Sequence, residues 1–195
     1  MVTKGDRTRQ RILEVVADLL DTQTFEQVSI AEITRRAEVT RPAFYFHFPT
    51  KGAAVASLME GLIGEFLEAA SPWYDHRGPD QPTALREGME RTVELWRKHA
   101  VVMHGMVQAA AAEKEARELW QQWVAAFTAR AVPTITADLG PARGDRPRAD
   151  ELATFLVDAT FAAMQRDVRS LVEEGHGTPG VVEAIALVWT RTLYS

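Results

Sequence analysis

The chain has 195 residues, 46% hydrophobic and 25% charged, with a formal net charge of −5 and no cysteine. That balance suits one good core, or a small module joined to a larger one, and it excludes disulfides and thiolate metal sites. The longest apolar runs fall short of the roughly 18 residues that span a bilayer, and the polar stretch Lys4 to Arg11 does not resemble a signal peptide, so a cytoplasmic protein is expected.

Taken in order, almost everything reads as helix. Ile12, Leu13, Val16, Leu19 and Leu20 recur at three- and four-residue steps and predict a first helix over about 3–21. Ser29 precedes Ile30-Ala31-Glu32, an S-x-x-E capping box that starts a short helix ending near Arg36. Thr40 can cap a third short helix with Pro42 in its first turn, ending near Phe48-Pro49. Thr50 is another N-cap candidate, and 53–70 reads as one long helix. Loops are expected at Ser71-Pro72 and 77–82. Helices over about 83–99, 101–112 and 113–139 follow, the last interrupted or kinked near Pro133. A Gly/Pro/Arg-rich loop at 140–147 separates off 149–174, and a break at 175–180 precedes 181–194. The expectation is an all-α protein of about nine helices. An N-terminal three-helix module would occupy 1–50 and a larger helical domain 51–195.

Charge is unevenly placed. Residues 1–51 hold eight Lys/Arg against seven Asp/Glu, and the remainder holds fourteen against twenty. Arg35, Arg36, Arg41 and Lys51 gather around Val39 to Lys51, where Phe44, Tyr45, Phe46 and Phe48 crowd five positions with His47. A basic, ring-rich face on an acidic protein fits a small nucleic-acid contact. Two short helices joined by a tight turn form a helix-turn-helix, whose second helix presents N-terminal residues to base edges. Those residues are Thr40, Arg41, Pro42 and Ala43. Arg41 suits a bidentate contact to guanine, and Ala43 a thymine methyl. Tyr45 and His47 would donate to phosphates, as would Lys51, beside free N–H groups at the next helix start. Ser29, capping the first of the pair, joins this candidate set. Phe44 and Phe48, four apart, would pack inward; Phe46 is either core or DNA-facing rim.

Thr8-Arg-Gln-Arg-Ile-Leu, Ser29-Ile-Ala-Glu-Ile-Thr-Arg-Arg-Ala and Val39-Thr-Arg-Pro-Ala-Phe-Tyr-Phe-His-Phe-Pro-Thr-Lys51 together resemble the DNA-binding domain of the TetR family of bacterial repressors. The stretches 99–123, 151–154 and 188–194 are similar to the EthR-like mycobacterial members of that family. The resemblance implies DNA binding through the helix-turn-helix and a small-molecule inducer held in a tunnel. Family members usually carry a glycine at the end of the first helix and another in the turn; this chain has Thr24 and Glu38 there. A non-glycine residue forced to positive φ costs on the order of 1 kcal/mol.

The larger part shows no serine–histidine–acid pattern, no phosphate-binding glycine loop and no metal-ligand spacing, so no enzyme activity, cofactor or metal is expected. It does carry apolar stripes. Leu85, Met89, Thr92 and Trp96 share one helix face, with Met103 and Met106 following. Trp120, Trp123, Val124 and Phe127 form a second stripe. Phe155, Val157, Thr160, Phe161 and Met164 form a third, joined by Trp189. Each is ordinary core taken singly; as a set they suit a cavity for a neutral, elongated, hydrophobic effector with Thr160 as polar anchor. Leu152, Leu156, Ala159 and Ala163, with Val182, Ile185, Ala186 and Leu193, are expected to pair two copies through a four-helix bundle. The alternative is that they are core within one chain. A homodimer is also what a short recognition helix needs to read a palindrome. The sequence thus reads as a repressor released from operator DNA by a small apolar effector. The alternatives are a ligand-independent DNA-binding regulator, an activator, or a helical enzyme acting on a hydrophobic substrate.

Overall fold

A computed structural model describes residues 4–75, 80–140 and 147–194. The expected helix start at Thr3, residues 77–79 of one expected loop and most of the other at 140–147 lie outside the described residues, while Gln81 and Pro82, expected in the first loop, are helical. Eleven helices are present among the described residues, with no strand: α1 (Lys4–Leu20), α2 (Ile30–Arg36), α3 (Arg41–His47), α4 (Lys51–Glu60), α5 (Ile63–Ala69), α6 (Ser71–Asp75), α7 (Gln81–Lys98), α8 (Ala100–Ala112), α9 (Lys114–Leu139), α10 (Ala149–Glu174) and α11 (Val181–Leu193). Of the two helices beyond the expected nine, one is α6 and the other comes from 53–70, which is not one helix. It breaks after Glu60, where the amide of Leu62 turns back to Met59 at 2.8 Å. Gly61 and Gly64 flank that break, and each weakens a helix by about 1 kcal/mol relative to alanine. Ser71-Pro72 is not a loop but the first turn of α6, where proline is well tolerated. Pro133 leaves α9 continuous. Pro133 and Ala129, whose carbonyl it deprives of a partner, are both exposed, so water can replace the lost bond.

The chain packs as two compact units: Met1–Leu62 with Val101–Trp120, and Ile63–Ala100 with Gln121–Ser195. By packing, the first unit runs on through Leu62 and takes in a later segment, Val101–Trp120. Its core is Ile12, Val16 and Leu19 of α1 against Phe25, Ile33, Phe44 and Phe48, closed by Ala54 and Val55 of α4 and by Met103, Met106 and Ala109 of α8. Side chains of this kind contribute about 1.5–3 kcal/mol each when fully buried. The second unit centres on α7, which packs against α5, α6, α10 and α11. Phe66, Trp96, Trp123, Phe127 and Phe161 meet there largely edge to face, with ring centroids 5.2–6.2 Å apart.

Candidate functional site

The helix-turn-helix is built by its caps. The Ser29 hydroxyl accepts the Glu32 amide at 3.1 Å, and the Thr40 hydroxyl accepts the Ala43 amide at 3.3 Å. The Glu32 carboxylate, expected to close a capping box, instead takes Arg35 at 2.9 Å and Arg36 at 2.8 Å. Those guanidinium bonds hold its pKa below the usual carboxylate range and neutralise part of the basic cluster. The turn closes as a Schellman motif, with Val39 N–H on Thr34 C=O and Glu38 N–H on Arg35 C=O. Glu38 takes the left-handed position at φ 52, as its place in the turn predicted. Thr24 shows no positive φ.

On α3, Phe44 and Phe48 are buried as expected. Ser29, Thr40, Arg41, Pro42 and Tyr45 are exposed, and Ala43 and His47 are half-buried. Arg41 makes no ion pair with another described residue. Phe46, left open by the sequence, is 84% exposed.

Lys51, expected beside a phosphate, is half-buried and bonded within the chain. Its ammonium donates to the carbonyls of Phe25 at 2.6 Å, Val28 at 2.8 Å and Glu26 at 3.3 Å, and lies 4.3 Å from the Phe25 ring centre. Burial lowers its pKa, partly opposed by Glu113 and Glu26. Nor are the first amides of α4 free for a phosphate: Gly52 N–H donates to Glu113 at 2.9 Å and Ala53 N–H to Thr50 at 3.0 Å. Lysine, loop carbonyls and the Glu113 carboxylate form an internal staple around the loop between α1 and α2. Gln108 adds to it by accepting the Phe25 amide at 2.8 Å.

In the second unit a cavity of about 40 Å³ is lined by Leu85, Met89, Thr92, Trp96, Phe127, Val157, Thr160, Phe161, Met164 and Trp189, all anticipated, and by Ala70, Trp73, Tyr74 and Gly88, which were not. Trp73 and Tyr74 escaped notice because Ser71-Pro72 reads as a loop. Trp189 N–H donates to the Thr160 hydroxyl at 2.9 Å, and Thr92 donates to the Gly88 carbonyl at 2.7 Å. Trp73 donates to the Tyr194 hydroxyl, which donates on to Asp138. Burial, chiefly, and the Asp138 bond raise the Tyr194 pKa.

Other anticipated lining residues lie elsewhere. Met103 and Met106 are buried in the N-terminal unit and are core there. Trp120 also falls in that unit. Trp123 stands behind the wall, against Phe66, Trp96, Phe127 and Phe161, and Val124, half-buried, does not reach the cavity. Phe155, placed in the third stripe, is 65% exposed.

The anticipated pairing residues divide as well. Leu156, Ile185, Ala186 and Leu193 are buried within the chain. Leu152, Ala163 and Val182 are half-buried and Ala159 is exposed. The large apolar groups that face outward on the same two helices are Phe155, Val172, Leu187 and Val188. No group of three or more His, Asp or Glu side chains is placed to hold a metal among the described residues, and no helix there is long and apolar enough to cross a membrane.

Residues 12–57 match the family of bacterial regulatory proteins named tetR, and residues 85–195 match the C-terminal domain of the transcriptional regulator EthR. The chain belongs to the TetR family. It is 26% identical to the HTH-type transcriptional regulator EthR of Mycolicibacterium smegmatis and 28% identical to that of Mycobacterium tuberculosis, each over 97% of this chain and 88% of the relative. Among solved structures, Salmonella enterica GusR aligns with a TM-score of 0.67 at 17% identity, covering 100% of this chain and 99% of that one. Regulatory protein TetR from Rhodobacter sphaeroides aligns at 0.64 and 17%, covering 94% and 97%. These two show the fold. This TetR-family protein is a DNA-binding transcriptional regulator and not an enzyme.

Proposed function

We propose that this TetR-family chain is a repressor that binds a palindromic operator as a homodimer and is released by a small apolar effector. The observation that carries the reading is the split face of α3. Two phenylalanines anchor the helix, while Arg41, Pro42 and Tyr45 stand in solvent beside the capped N-terminal turn. Arg41 reads guanine, and Tyr45 and His47 fix register on phosphate. Two copies pair through α10 and α11 using Phe155, Ala159, Leu187 and Val188, since the inner stripe is spent within the chain.

The effector enters the cavity below Trp73 and Trp189. At about 40 Å³ that space has room for a few waters, whereas ligand sites commonly span about 300–1,000 Å³. Effector binding therefore selects a form in which the wall around Trp73, Met89 and Phe127 has opened. Repression is lifted if that form holds the two recognition helices at a spacing the operator does not match. Thr160 already accepts the Trp189 N–H, so its own O–H remains to meet a carbonyl or similar acceptor on an otherwise apolar effector.

The test is base preference. Arg41→Ala should relax selection at one base position per half-site while leaving the others intact. An unchanged preference in the variant contradicts direct readout by Arg41.

A further inference from the structure

Phe46 is the most exposed large hydrophobic side chain among the described residues, at 84%, and it sits on the one helix assigned to base reading. The only aromatic neighbour described for its ring is His47, edge on at 5.1 Å. Local packing does not require the ring to be there. Phe44 and Phe48 already fill the inward positions of α3, and Tyr45 turns out beside it. Pro42 is four residues earlier and also exposed, so Pro42 and Phe46 form an apolar row alongside the Arg41–Tyr45 row.

A phenyl ring has neither donor nor acceptor and cannot read the hydrogen-bonding code of the major groove. The single apolar feature that groove offers is the C5-methyl of thymine. Resting on the DNA-binding reading above, we propose that Phe46 is a specificity-determining residue. Its ring packs on a thymine methyl in each half-site, fixing a thymine at a set offset from the base that Arg41 reads.

The experiment uses the full chain and the duplex it selects from a random pool. Each thymine is replaced in turn by deoxyuridine, which removes the methyl alone, and the dissociation constant is measured for the wild type, Phe46→Ala and Phe46→Leu. Because Phe46 is exposed, both variants should melt like the wild type. One deoxyuridine per half-site is expected to weaken the wild type by about fourfold, the value of one buried methyl-sized group. The same change should leave Phe46→Ala unaffected, with Phe46→Leu keeping part of the effect. Phe46→Ala binding as tightly as the wild type overturns the assignment. So does uniform weakening on every duplex with no methyl dependence, which would place the ring against the sugar–phosphate backbone. A wild-type chain that enriches no duplex overturns the DNA-binding reading itself, and is distinguished from the other outcomes at the first step.

Discussion

Glu38 occupies a backbone conformation, φ 52, that glycine adopts freely and other residues adopt at a cost of roughly 1 kcal/mol. Its carboxylate lies 3.9 Å from Arg11, but both groups are largely exposed, so the pair returns little. Glu38→Gly should raise stability by about 0.5–1 kcal/mol in a denaturant melt despite the greater freedom of the unfolded glycine. Lys51 makes the opposite point. A lysine at the start of the helix after α3 looks like a phosphate ligand, because the sequence shows the charge but not the acceptors. Those acceptors, the carbonyls of Phe25, Glu26 and Val28, lie more than twenty positions earlier and come into reach only when α1 and α4 pack. Lys51→Met should destabilise the chain by about 1–3 kcal/mol, since it strands those carbonyls. It should leave the slope of log affinity against log salt unchanged, whereas loss of a true phosphate contact lowers that slope by about one. A lower slope with an unchanged melting temperature would return Lys51 to the DNA surface.

At the scale of elements, helices with a side-chain cap were legible where the cap is local: Ser29, Thr40 and Thr50 each sit three residues before the amide they accept. The orientation of α10 was not. Both helix faces carry apolar groups, Leu156 and Val157 on one side and Phe155 and Ala159 on the other, and only tertiary packing decides which stripe turns inward. One polar tie that fixes α10 was likewise invisible. Arg97 of α7 grips Asp167 of α10 at 2.8 and 3.0 Å, and the Thr178 amide donates to the same carboxylate. Gly177 leaves room for it; a Cβ there would stand 2.8 Å from the Asp167 oxygen and 2.9 Å from an Arg97 nitrogen. Asp167 is buried while the Arg97 side chain is 40% exposed, so the two ends are not equivalent. Arg97→Ala abandons a buried anion and should cost about 3 kcal/mol. Asp167→Asn frees an arginine that water can solvate and keeps the Thr178 bond, so it should cost less. Equal losses in thermal or chemical melts would mean the carboxylate is better solvated than its burial implies.

For the whole molecule, the proposed function requires a matched pair of α3 helices to read duplex DNA. The aromatic stripes and the helix-turn-helix spacing made the broad organisation readable, and the family matches over 12–57 and 85–195 agree with it. What the spacing could not give was cavity size, which depends on how closely α6, α7, α10 and α11 approach. The stripes expected to enclose an elongated tunnel enclose about 40 Å³. Symmetry is the property on which operator recognition turns, because one seven-residue helix reaches only a few base pairs. The direct measurement is enrichment of duplexes from a random pool by the purified chain at low salt, followed by sequencing. The expected result is a two-fold symmetric site whose half-site centres lie about 34 Å apart or a multiple of it. A single asymmetric half-site, or no enrichment at all, would contradict it.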